Sequence, residues 1–139
     1  MTDVELIRKK LAQITTYVRE LRTHGHPERL EDVREERFIL YTLQIAIQAA
    51  LDVASHIVSD DLLGEPSTNR ELFELLAANG WIDQELAAQL VAMAGFRNIV
   101  VHGYTDVSRD VVQTVVGEHL GDFDDFVSQI RARIAGESA

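Results

Sequence analysis

The chain has 139 residues, no cysteine and a formal net charge of −10. That length suits a single domain, residues 1–139, with a real core and no room for a second, and the missing thiols exclude disulfide frameworks and thiol nucleophiles. An apolar content of 46 % exceeds that of a disordered chain, and the negative field repels polyanions, so any nucleic-acid contact must rest on a local arginine cluster or on a second subunit.

The acidity lies in the middle: residues 41–90 hold eight acids and one base, against eight and eight in 1–40 and seven and four in 91–139. The N-terminus lacks the basic flank, apolar stretch and cleavage site of a signal peptide, and no run reads as a bilayer span. The expectation is a soluble, cytoplasmic protein with no membrane partner.

Hydrophobic spacing is helical almost throughout, which predicts an all-α fold. Val4, Ile7, Leu11, Ile14, Val18 and Leu21 follow three-four spacing behind Thr2 and Glu5, which stand at capping-box distance, so a helix is predicted over about residues 3–23. His24-Gly25-His26-Pro27 breaks it, and a second long pattern runs from about Glu31 to Val58. Between Phe38 and Val58 this pattern is apolar around most of its circumference, as befits the central rod of a bundle. Its exceptions, Arg37, Tyr41, Gln44, Gln48, Asp52 and Ser55, recur at three- and four-residue steps as one polar stripe. That stripe is either the solvent-facing side or a place where Arg37 and Asp52 line a cleft or subunit contact.

Residues 60–67 read as loop, and Thr68 with Glu71 offers a second capping box for a short helix through Ala78. Asp83 is a good N-cap for a helix reaching Val101, and Ser108 for a last helix over most of the C-terminus, with Gly117 and Gly121 able to bend it. The helix after Asp83 carries two stripes. Leu86-Leu90-Met93 leads to Arg97, and Ala87-Val91-Gly95 leads to Asn98 and His102. Two stripes predict two packing partners, one being the bundle and the other a second protomer approaching closely at Gly95.

Polar chemistry thus emerges where apolar faces end. Arginine is almost never buried without a partner, and histidine changes charge near neutral pH, so Arg97, Asn98 and His102 read as a phosphate-handling group. Asn98 and His102, four apart, can touch, whereas Arg97 lies about 100° around the helix from Asn98. Two such helices across a twofold would bring paired arginines and histidines to one groove. The alternative is structural, with Arg97 paired to a carboxylate and His102 bonded to a backbone carbonyl.

No H-E-x-x-H or E-x-x-H pair and no glycine-rich phosphate loop occurs, so no metal and no cofactor is expected. His24, His26, His56 and His119 read as loop, stripe or surface residues. Arg8, Lys9, Lys10, Arg19 and Arg22 on the first helix form either an RNA or partner footprint or an ordinary solvated face.

The order R-N-x-x-x-H-x-Y at Arg97, Asn98, His102 and Tyr104, after Met93-Ala94-Gly95-Phe96, resembles the HEPN superfamily and especially the HepT-like toxins. Arg37-Phe38, Leu51-Asp52, His56-Ile57, Pro66, Phe73, Leu76 and Gly80 fall in the order expected for that family, so the likeness extends over about residues 30–130. The resemblance implies a HEPN-type bundle of four to five helices that dimerises through the motif helix. It also implies a metal-independent endoribonuclease toxin, paired as in type VII toxin-antitoxin systems with a nucleotidyltransferase antitoxin of the MntA type. On the matching positions, Arg97 and His102 are the catalytic pair, Asn98 is the polar residue beside them, and Tyr104 is the tyrosine that receives AMP from the antitoxin. Two readings from other classes stand beside it: a non-catalytic helical partner that positions substrate for a nucleotidyltransferase, and a structural or small-molecule-binding bundle.

Overall fold

In the computed structural model, which describes residues 2–103 and 107–138, the described residues form six α-helices and no strand. These are α1 (Val4–His24), α2 (Val33–Asp60), α3 (Asn69–Ala78), α4 (Gln84–His102), α5 (Arg109–Glu118) and α6 (Leu120–Ser138), with a 3₁₀ turn at Pro27–Arg29. The fold is all-α, as the periodicity predicts.

The expected last helix is two helices. α5 closes with the His119 amide donating to the Val115 carbonyl at 3.0 Å, and the chain turns at His119 (φ −118°, ψ 4°) before α6 begins. The turn lets α5 and α6 bury differently directed faces. Val112 and Val115 are buried on α5, while Phe123, Phe126, Ile130 and Ile134 fill the core from α6.

The caps are where the sequence puts them, with one exception. Thr68, Asp83 and Ser108 each accept a first-turn amide of the helix they precede, and Asp32, which the sequence reading does not single out, does the same for α2. At α1 the Thr2–Glu5 box does not form: Asp3 caps the helix by accepting from Leu6, and the Thr2 hydroxyl donates to Asp61 at 2.6 Å. That bond ties the start of α1 to the end of α2, a long-range partner that local spacing does not reveal.

α2 is the central rod, packed against α1, α3 and α4, and it buries thirteen residues from Ile39 to Val58. Contrary to expectation, it is long and apolar enough to cross a membrane by length and composition alone, yet 61 % of its most apolar window is buried inside the bundle. All-round hydrophobicity is what a helix covered on several sides needs.

Two ends of the bundle differ. At one, α6 grips the α3–α4 turn: Arg133 donates to the Asn79 carbonyl at 2.9 Å and lies 4.8 Å over the Trp81 ring, while Asp83 and Gln129 exchange two 2.8 Å hydrogen bonds. Gly80 sits in this turn at φ +78°, where an added Cβ would also meet the Arg133 guanidinium at 3.1 Å. At the other end Gln113 of α5 donates to the Pro27 carbonyl at 3.2 Å and Arg22 of α1 pairs with Asp124 of α6. α4 therefore starts clamped and runs toward the opposite end, where Met93 and Phe96 face Val111 and Val115 of α5.

Candidate active site at the end of α4

The two stripes on α4 differ in burial. Leu86, Leu90 and Met93 are buried, and Ala87 is buried too, but Val91 is half-buried and Gly95 exposed. Ala88, Ala92, Gly95, Ile99 and His102 fall within an arc of about 80° and are all exposed, Ile99 by 48 %. A side chain at Gly95 would meet nothing within 4 Å. The result is an open, narrow-waisted apolar face that ends in an imidazole.

Arg97 continues the buried stripe and is half-buried. Its guanidinium donates to the Asn98 side-chain oxygen at 3.3 Å, and its Nε is buried with no hydrogen-bond partner among the described residues. No carboxylate pairs with it among those residues, and His102 is exposed without a hydrogen bond among them. The structural alternative for this pair is thus not what the described residues show. Asn98 turns its oxygen to Arg97 rather than to His102. Being five residues apart, Arg97 and His102 are separated by about 140° around the helix and about 7.5 Å along it, so one protomer does not bring them together. Gly103 ends the helix at φ +152°, and Tyr104 lies outside the described residues.

Beside this face runs a groove of about 350 Å³ between α4, α5 and the start of α6, walled by Met93, Phe96, Val111 and Val115, with His119 and Asp122 at its edge. His119 Nδ1 lies 3.0 Å from the Asp122 carboxylate. Val111 is 47 % exposed and Val101 on α4 50 %. Sequence reading misses the groove because it treats α5 and α6 as one helix; the available signal is the His119-x-x-Asp122 spacing, whose start falls between Gly117 and Gly121.

Arg37 and Asp52 stand about 22 Å apart along α2, neither borders the groove, and Asp52 is occupied by Lys10 at 3.5 Å and Gln48 at 2.9 Å.

A family model described as ribonuclease HepT-like matches residues 7–130. The chain belongs to the HepT-like ribonuclease family. Within it, the chain is similar to the mRNA nuclease HepT of Shewanella oneidensis, 35 % identical over 130 residues that cover 92 % of this chain and 98 % of the relative. It is also similar to the tRNA nuclease HepT of Aphanizomenon flos-aquae, 29 % identical with 95 % and 93 % covered. In three dimensions it resembles the tri-AMPylated Shewanella oneidensis HEPN toxin solved in complex with MNT antitoxin, with a TM-score of 0.84 at 35 % identity over 95 % of this chain and 99 % of that one. The HEPN helical fold follows from both comparisons.

Proposed function

We propose that this protein is a metal-independent endoribonuclease toxin whose active groove forms between two copies related by a twofold through α4, residues 1–139 acting as one unit in the cytoplasm. The observation that carries the reading is Arg97: a buried guanidinium N–H with no partner among the described residues, beside Asn98, at the end of a helix whose outer face is small, apolar and exposed. A cation held this way is arranged for an oxygen ligand from outside the chain. Apposing two α4 faces offsets the separation of Arg97 and His102, since one protomer's Arg97 can meet the second protomer's His102.

In this reading His102 takes the proton of a ribose 2′-OH, the freed oxygen attacks the adjacent phosphorus, and Arg97 with Asn98 stabilises charge on the phosphorane oxygens. The P–O5′ bond breaks, the 5′ oxygen takes up a proton from the second histidinium, and the products are a 2′,3′-cyclic phosphate and a 5′-hydroxyl. Tyr104 follows directly on Gly103, so AMP added there by an MntA-like antitoxin would put negative charge and bulk beside the groove and repel the substrate backbone. Relatives named as mRNA and tRNA nucleases, and an AMPylated one bound to antitoxin, support these roles.

Total RNA incubated with the protein in chelator tests the proposal, with end-group analysis and Arg97→Ala and His102→Ala controls. Loss of cleavage in both variants and cyclic phosphate ends are expected; equal RNA loss in all three proteins would overturn it. The net charge of −10 favours a second reading, a non-catalytic subunit for a nucleotidyltransferase. Growth arrest on expression without a partner would discard that reading.

A further inference from the structure

The face between α1 and α6, lined apart from the α4 groove, gathers arginines. On α1, Arg8, Arg19 and Arg22 are eleven and three residues apart, which returns them to within about 60° of one another along about 21 Å of helix. Across a shallow groove lie Ser128 and Arg131 of α6, with Thr15 of α1 between. All four arginines are exposed, and Asp124 is the acid in this groove, paired to Arg22. Arg8, Arg19 and Arg131 form no ion pair or hydrogen bond among the described residues. Glu5 and Glu20, the nearest acids on α1, lie about 60° and 120° around from Arg8, on the side turned from α6. A strip with three arginines that have no partner among the described residues, and two hydroxyls, on a chain of net charge −10 is a local reversal of sign, and its length matches a run of several phosphates rather than one ion.

We propose that this α1–α6 face is a second binding site for the RNA substrate, gripping the phosphate backbone of a single-stranded segment away from the scissile bond, with Arg8, Arg19 and Arg131 as the contacting cations and Thr15 and Ser128 as neutral donors. It rests on the ribonuclease reading of the protein. It answers a problem that reading creates: an acidic enzyme must hold a polyanion, and the proposed site at the end of α4 rests on Arg97 as its cation. The face carries no sequence readout, because phosphate contacts position a strand without reading its bases.

The test is equilibrium binding of a fluorescent 2′-O-methyl RNA strand, which lacks the attacking hydroxyl, to the full-length protein and to the Arg8→Gln/Arg19→Gln/Arg131→Gln variant. Between about 50 and 200 mM salt the variant is expected to show a log–log slope shallower by about 2, with affinity lower by about tenfold. The corresponding triple Arg→Lys variant should restore both, as a backbone contact needs charge more than a planar fork. Identical slope and affinity in wild type and glutamine variant would overturn the site. So would unchanged RNA binding with a weakened antitoxin complex, which would make the strip a protein-docking face. If the wild type cleaves no RNA yet the slopes differ as stated, the catalytic reading fails and the binding site stands.

Discussion

α2 and α4 are both core helices that carry polar side chains, and they resolve them in opposite ways. On α2 the polar residues form a continuous stripe whose central member is satisfied from within: Asp52 accepts from Lys10 and from Gln48, one turn away. On α4, past Gln89, the polar residues come in the last two turns, where among the described residues the buried Arg97 Nε has no partner and His102 has no hydrogen bond. A polar group with internal partners belongs to the fold. One that the surrounding fold leaves unsatisfied is arranged for something else, and the functional reading follows from that difference.

The comparison breaks first if the bundle does not hold α4 independently of the site. Phe126 is fully buried and meets Phe73 edge-on, with ring centroids 6.4 Å apart. Phe126→Ala is expected to lose about 3–5 kcal/mol in denaturant unfolding, by removing transfer energy and leaving a cavity between α6 and α3. A loss below about 1 kcal/mol would mean that the core tolerates rearrangement and that the position of α4 is not fixed by it.

Next in size is the site itself. Arg97→Ala should cut RNA cleavage by about 100- to 1000-fold. Its melting temperature should stay close to wild type, because the Nε it removes has no partner among the described residues to leave unsatisfied. A drop of several kcal/mol in stability with cleavage intact would transfer Arg97 to the class that Asp52 represents. Gly95→Arg probes the face rather than the chemistry. The residue has open space around it, so the monomer accommodates the side chain while a close α4–α4 approach does not. Sedimentation should show a shift from dimer to monomer together with loss of cleavage at low protein concentration; an active dimer would refute the twofold site.

Much of this contrast is legible in the sequence, for a physical reason. Helical periodicity reports which face is buried, so α1, α2 and the two stripes on α4 can be read directly, and Asp83 and Ser108 announce their helices because capping is local chemistry. What cannot be read is long-range. The Thr2–Asp61 bond displaces the expected cap, α6 grips the α3–α4 turn through Gln129 and Arg133, and the turn at His119 opens a groove that a continuous helix would not have. The motif residues are found by type and spacing, yet the 140° between Arg97 and His102 is the reason the proposed site uses a second protomer, and that number comes from the helix rather than from the residue identities.

The smallest effect sharpens the comparison most, because it isolates the satisfied stripe from the unsatisfied one. Lys10 and Asp52 are 28 % and 36 % exposed in their side chains, so solvent screens the pair, and its 3.5 Å separation is loose for a charge-assisted bond. Lys10→Met keeps the aliphatic stem against the helix surface and removes the charge, leaving Asp52 with Gln48. The expected cost is about 0.5 kcal/mol or less, measured by chemical denaturation, with cleavage of RNA at the wild-type rate. Should this substitution reduce cleavage as Arg97→Ala does while the stability change stays small, the α2 stripe would belong to the site after all, and an internal partner would no longer be a sign that a polar residue serves only the fold.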